Sequence, residues 1–244
     1  MIDQGRAFAP VYERIYPPGE PTARFCAARH PGGGHPSLEL GAGTGRVALP
    51  LAGHVGEVIA VELAPEMVEQ LRAAPKPSQG EVSPVEADMT TYEPDRTFGL
   101  VLCVCSTIGL VHDRGVQQRL VATWARALAP GGALVIENHN PAAIEELHEG
   151  RTRQTAIFPY PQPNRSLLTH GVLDRDNELW TATHVFFDQG TPWTATEVVR
   201  LTGPDRVDAY AKQAGLECVE RYADVEGSPF TGNEPMFVSV YQHA

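Results

Sequence analysis

The sequence predicts an α/β fold in which helices cover both faces of a parallel sheet and antiparallel strands follow. Three observations predict it. Between Ser37 and Asn138, short apolar runs alternate with stretches of helical spacing, the pattern of strands buried on both faces. From Arg151 onward the texture turns to segments rich in Thr, Val, Trp and Phe with alternating polarity, which suits antiparallel strands with two unlike faces. The chain has 244 residues, 42% of them hydrophobic, enough for one well-packed domain with a modest insertion.

Taken in order, Ala7 to Arg29 reads as a helix in two pieces broken by Pro17-Pro18, with Phe8, Val11, Tyr12 and Ile15 at helical spacing. Pro31 to Pro36 is a loop. Strands are predicted at Ser37–Leu40, Glu57–Glu62, Glu81–Glu86, Phe98–Cys105 and Ala133–Asn138. Helices are predicted from Gly45 to about Ala52, from Pro65 to Ala73 and from Gln117 to Leu128. The intervening LAPGG, Leu128 to Gly132, ends one helix and turns the chain into a strand. Beyond Arg151, DRDNE is a turn between strand-like runs, Gly203 to Leu216 is a short helix, and ECVERYAD and MFVSVYQ pair as a terminal hairpin. The organisation is one domain, 1–244, with an N-terminal helical segment over 1–30 and an inserted antiparallel unit over 151–202.

Charge and composition exclude whole classes of function. Thirty acidic against 19 basic residues leave a net charge of −11, which opposes a grip on a nucleic-acid backbone or an anionic membrane. The N-terminus lacks the basic start and apolar core of a signal peptide, and no run approaches the roughly 20 apolar residues of a membrane helix. A cytoplasmic protein acting on a small molecule is expected, and a homodimer is compatible with that. Cys26, Cys103, Cys105 and Cys218 are too scattered for a disulfide framework, and Cys103-Val104-Cys105 lacks the spacing of a metal or redox pair. No metal is expected.

The sharpest motif is LELGAGTGR, Leu38 to Arg46. A glycine-rich turn between a strand and a helix directs backbone N–H groups at an anionic ligand group. The dinucleotide fingerprint G-x-G-x-x-G would need glycine where Arg46 stands, so a nicotinamide cofactor is disfavoured. Glu62 closes the second strand and is placed to accept ribose hydroxyls, unless it is a solvated strand-end acid. Asp88, after the third strand, is either a ligand contact or a helix cap.

These residues resemble the class I S-adenosylmethionine-dependent methyltransferases, whose first motif is a near match to LELGAGTG. The resemblance covers about Ser37 to Glu137. It implies a Rossmann-like seven-stranded sheet ending in an antiparallel hairpin, with S-adenosylmethionine as cofactor. Carried over, Gly41, Ala42 and Gly43 lie against the cofactor and Glu39 lies near its amino group. Glu62 meets the ribose, Leu63 lies beside the adenine with Met67 following as a further cofactor contact, and Asp88 and Met89 take the adenine edge. Cys105, in the Cys105-Ser106-Thr107-Ile108 run, stands where nucleic-acid amino methyltransferases carry an Asn or Asp followed by Pro-Pro and an aromatic.

The N-terminal FAPVYERIY also resembles bacterial small-molecule N-methyltransferases, such as the sugar N,N-dimethyltransferases of antibiotic pathways, although ENHNP, Glu137 to Pro141, departs from their aromatic run. Similarity to that group points the Tyr16 hydroxyl into the active site; otherwise Tyr16 is a core aromatic. His139, just past the fifth strand, is a candidate base because imidazole accepts protons near neutral pH, or else an idle loop residue. His112 competes with it. Tyr12, Trp180, His184, Phe186 and Phe187 are candidates for a substrate pocket or for sheet core. N-methylation of a small molecule in secondary metabolism is the expected reaction. An O-methyltransferase and a nonenzymatic S-adenosylmethionine-binding protein are the alternatives.

Overall fold

The computed structural model describes residues 2–16, 18–160, 164–188 and 190–244. The helices are α1 (Ile2–Phe8), α2 (Tyr12–Ile15), α3 (Glu20–Ala27), α4 (Ala48–Val55), α5 (Pro65–Ala73), α6 (Arg114–Arg126), α7 (Pro141–His148) and α8 (Pro204–Gln213). The strands of the main sheet are β1 (Ser37–Leu40), β2 (Glu57–Glu62), β3 (Glu81–Glu86), β4 (Phe98–Cys103), β5 (Leu128–His139), β10 (Leu216–Tyr222) and β11 (Met236–His243). A second sheet holds β6 (Arg153–Pro159), β7 (Arg165–Asp174), β8 (Leu179–Asp188) and β9 (Thr191–Arg200).

The seven-stranded sheet has the order β10-β11-β5-β4-β1-β2-β3. Strands β1 to β5 run parallel, while β11 pairs antiparallel with both β5 and β10. The chain order reverses between β1 and β4. Such a switch point opens a crevice at the carboxyl ends of the strands, where ligands bind in open α/β sheets. Alternate residues of each central strand feed two apolar layers. Leu38, Leu40, Val101, Leu134 and Ile136 pack with Trp124 of α6 and Tyr210 of α8, whereas Leu100, Leu102, Val135 and Val238 pack with Ala23 of α3 and Leu51 of α4.

The second sheet is a meander, β6-β7-β8-β9, antiparallel throughout. Its β8 alternates as expected for one inward face, Trp180, Ala182 and Phe186 being buried. Among the described residues no helix is long and apolar enough to cross a membrane.

Several elements differ from the sequence expectation. The N-terminal segment forms α1, α2 and α3 rather than two pieces, because Pro10 also interrupts it. Helix α1 begins at Ile2, and of the expected Pro17-Pro18 break, Pro17 lies outside the described residues. Helix α4 starts at Ala48, three residues late, since Gly43 and Gly45 sit at φ 58° and 88° and cannot be helical. Strand β4 stops at Cys103, because Cys105 and Ser106 both adopt left-handed φ. LAPGG belongs to the start of β5: α6 ends at Arg126, and Gly131 at φ 75° forms an irregularity opposite Phe98 and Leu100. Helix α7 was not foreseen, although Asn140 caps it by accepting from the Ala142 N–H and Pro141 occupies its first turn.

Candidate active site

The turn after β1 is built by its glycines. The Gly41 and Ala42 N–H groups donate to the Val61 carbonyl at 2.8 and 3.0 Å, which pins the turn to β2. Gly45 answers to packing: a Cβ there would stand 2.2 Å from Leu71 Cδ1 of α5, so the close helix approach that a dinucleotide fold obtains one residue later is obtained here at Gly45. The tip of β2 completes the unit. Glu62 Oε2 accepts from the Gly43 N–H at 2.9 Å, and Oε1 accepts from the Leu63 and Ala64 N–H groups at 2.8 Å each. A carboxylate offers about four acceptor positions, so Glu62 braces the loop and retains capacity on Oε2.

Above the turn lies a cavity lined by Gly41, Gly43, Glu62, Leu63, Met67, Asp88, Met89, Cys105 and Thr107, and closed by Phe8, Tyr12 and Tyr16 from the N-terminal segment. Asp88 takes its two hydrogen bonds on one oxygen, Oδ1 accepting from Thr90 N and Oγ1 at 2.8 and 2.7 Å. It is thus a local turn former that also lines the cavity. Left-handed glycines without side chains, an apolar slot between Leu63 and Met89, and a carboxylate at each of the β2 and β3 ends suit a nucleoside bearing a cationic tail. Glu39 and Ala42 are 2% and 3% exposed and lie behind the turn. Glu39 Oε2 has no hydrogen-bond partner, and burial pushes its pKa up to about 8 against the pull of Arg46.

A second cavity of about 520 Å³ adjoins the first, and Phe8, Tyr16, Cys105 and Glu197 line both. Its walls come from the carboxyl ends of β4 and β5 and from β7, β8 and β9. Cys105 and Ser106, at φ 53° and 58°, hold an uncommon conformation for side-chain-bearing residues. Three bonds fasten it: the Cys105 N–H donates to Glu137 Oε2 at 2.8 Å, the Ser106 N–H to the Glu137 carbonyl at 3.1 Å, and the His139 N–H to Ser106 Oγ at 2.9 Å.

His139, Trp180 and His184 all line this second cavity. The His139 ring meets Trp180 edge to face at 5.5 Å, and burial lowers its pKa, opposed by the charge of Glu197. The Trp180 Nε1–H donates to His148 Nε2 at 3.1 Å. Tyr12 and Tyr16 stack with ring centroids 4.6 Å apart, and burial raises both phenol pKa values. Phe186 is buried against Tyr160, whereas Phe187 is exposed. His112 lies outside both cavities, an exposed side chain bonded to the Val198 carbonyl.

The sequence reading did not single out Glu137, Glu197 or Arg46 as ligand-facing residues. Arg46 lines the second cavity and donates to Cys105 Sγ. A signal existed for Glu197: in WTATEVVR it is the one acid on the face shared by Ala195 and Val199, and a lone carboxylate on an apolar face is the informative exception.

Comparison with known proteins completes the picture. A family profile described as a methyltransferase domain matches residues 38–132, the span that holds the turn and the carboxyl ends of β1 to β4. Residues 38–132 therefore carry a methyltransferase domain. The chain is 25% identical over 222 residues to the cypemycin N-terminal methyltransferase of a Streptomyces species, covering 88% of this chain and 85% of that protein. Among solved structures it is similar to the CcbJ methyltransferase of Streptomyces caelestis, at 29% identity and a TM-score of 0.85 over 99% of this chain and 98% of that one. It also shares its fold with CalS10, an amino pentose methyltransferase of Micromonospora echinaspora solved with S-adenosylmethionine bound. That match has a TM-score of 0.67 at 20% identity over 96% of this chain and 95% of the other.

Proposed function

We propose that this enzyme methylates the nitrogen of a small, partly apolar amine of secondary metabolism. The observation that carries this reading is the charge of the second cavity, which is lined by four carboxylates, Glu137, Glu197, Asp224 and Glu226, and one guanidinium, Arg46. An acidic pocket with low-dielectric walls concentrates a cation, and an amine arrives as an ammonium. Trp180, Leu167 and Phe158 supply apolar wall for the rest of the molecule. Two relatives, named for an amino pentose and for an N-terminal methylation, support the same acceptor chemistry.

When bound, S-adenosylmethionine supplies a methyl group already activated by its sulfonium. Gly41 and Gly43 would hold its methionine end, Glu62 its ribose, and Leu63, Met67, Asp88 and Met89 its adenine. The segment 1–30 acts as a lid, because Phe8, Tyr12 and Tyr16 roof the cavity and exclude water. The sheet within 151–202 acts as the platform for the acceptor. The protein's remaining tasks are alignment and proton removal. Tyr16, at the junction of the cavities, keeps its proton and can orient the nitrogen by a hydrogen bond. His139, held neutral by burial, does not repel the ammonium and can accept the proton that the amine sheds before it attacks.

The test is formation of S-adenosylhomocysteine when the enzyme is incubated with S-adenosylmethionine and matched panels of amines and alcohols, read by mass spectrometry. Methylated amines are the expected products. Turnover confined to alcohols would overturn the nitrogen assignment, and calorimetric binding of NADH in place of S-adenosylhomocysteine would overturn the cofactor site.

A further inference from the structure

We propose that Glu197, held in place by His184 and Thr169, is the carboxylate on which the acceptor's ammonium docks, and so determines the preference for amines. This rests on the amine reading above and goes beyond it by assigning the discrimination to one residue. Four carboxylates line the acceptor cavity, but among them Glu197 alone also lines the cofactor cavity. A nitrogen bonded to it stands at the opening between the two, where the methyl group must cross. Glu137 is tied to the Cys105 N–H, and Asp224 accepts from the Glu226 and Ser228 N–H groups of its own loop.

The register of the second sheet builds the arrangement. On β8, His184 stands opposite Thr169 of β7 and Ala195 of β9, while Glu197 of β9 stands opposite Ala182, one inward position along. The His184 ring spans the two strands, with Nδ1 2.9 Å from Thr169 Oγ1 and Nε2 3.0 Å from Glu197 Oε1. An ionised carboxylate only accepts hydrogen bonds. Nε2 therefore carries the hydrogen toward Glu197, and Nδ1 pairs with the threonine hydroxyl. Phe8 closes against the His184 ring edge to face at 5.9 Å. With about 15% of each side chain exposed, the pair is shielded enough for a charge-assisted bond to count.

A structural ion pair would show the same contacts, so the test must read ligand charge. Calorimetry on the full-length enzyme saturated with S-adenosylhomocysteine compares benzylamine with benzyl alcohol, which has a similar shape and no charge. Wild type is expected to favour the amine, and Glu197→Gln to weaken amine binding about tenfold or more while leaving the alcohol nearly unchanged. Asp224→Asn, which removes one charge from the same cavity, is expected to change amine binding less than about threefold.

Thr169→Val, which frees one side of His184 and leaves every charge in place, is expected to weaken the amine alone, and Thr169→Ser to restore it. That pair of variants decides the question should Glu197→Gln fail to fold. An unchanged amine preference in Glu197→Gln overturns the proposal while the N-methylation reading stands. Equal losses in Glu197→Gln and Asp224→Asn overturn it in favour of a diffuse field. A wild type with no preference for the amine overturns both.

Discussion

Replacing Glu62 by alanine should cost both stability and cofactor affinity, and the two losses can be measured apart. In the folded protein its carboxylate accepts from the N–H groups of Gly43, Leu63 and Ala64 at 2.9, 2.8 and 2.8 Å. The latter two stand at the start of α5, where no intrahelical partner exists. Hydrogen bonds to a charged acceptor contribute about 1.5–3 kcal/mol each when buried. These are partly solvated and water replaces some of them, so a net loss of about 2 kcal/mol is expected, or about 4–8 °C in Tm for a chain of this size. The tether to Gly43 also shapes the cofactor cavity. Together with the lost ribose contact, its removal should weaken S-adenosylhomocysteine by on the order of 30-fold. Glu62→Gln refines the point: its amide oxygen can still serve Leu63 and Ala64, but its NH2 group would face the Gly43 N–H, donor against donor. Thermal melts of the free protein and calorimetric titration give the two quantities. An unchanged melting temperature would refute the bracing role, and an unchanged affinity would refute the placement of the ribose at β2.

Further outcomes follow from other contacts. Gly45→Ala places a Cβ 2.2 Å from Leu71 Cδ1 at φ 88°, and denaturant unfolding should show a loss of about 2–3 kcal/mol. Trp180→Phe leaves the fully buried His148 without its indole donor, for an expected loss of about 1–3 kcal/mol in the same assay. Asp188 is 5% exposed and pairs with Arg14 of α2 and with Arg165 of β7, the latter at 2.8 Å. Asp188→Asn should therefore loosen the N-terminal segment, seen as faster proteolysis before residue 17 and faster release of S-adenosylhomocysteine in stopped flow. Burial raises the Glu39 pKa from an ordinary 4.5 to about 8. In that window the native state holds a proton that the unfolded chain has lost, so stability falls as pH rises from about 4.5 to 8. Glu39→Gln should flatten this slope in urea titrations at several pH values, and parallel slopes would contradict it.

Most of the main sheet could be read from the chain because its signals are local. The bounds of β1, β2, β3 and α5 coincide with the expected ones, each being a short run closed by a polar or turn-forming residue. The departures occur where a backbone requirement overrides propensity. Left-handed glycines at alternate positions delay α4, and the left-handed Cys105 and Ser106 cut β4 short. The lining of the first cavity was equally legible: Gly41, Gly43, Glu62, Leu63, Asp88 and Met89 lie at or just beyond strand ends that a parallel sheet brings to one edge, and Met67 in α5 faces the same cavity.

The second cavity was legible only in part: Tyr16, His139, Trp180 and His184 were named and line it, but their arrangement depends on cross-strand register and on an N-terminal segment folded across the sheet. No spacing within the sequence states that His184 will lie beside Glu197, thirteen residues away, or that Tyr160 will donate to the Ile15 carbonyl across 145 residues. What the sequence does carry is a set of violations of its own pattern. Glu39 breaks the apolar run of β1, and Glu197 breaks the inward face of β9. Each carries a desolvation cost that a leucine would avoid. Natural sequences are consistent across levels except where function requires otherwise, and both exceptions border the two cavities or the turn between them. His112, chosen for its chemistry alone and set in a stretch that breaks no pattern, lies away from both cavities, as do Phe186 and Phe187. In this chain residue type pointed to Tyr16, His139, Trp180 and His184 of the second cavity, and the misfit between a residue and its local pattern would have added Glu197.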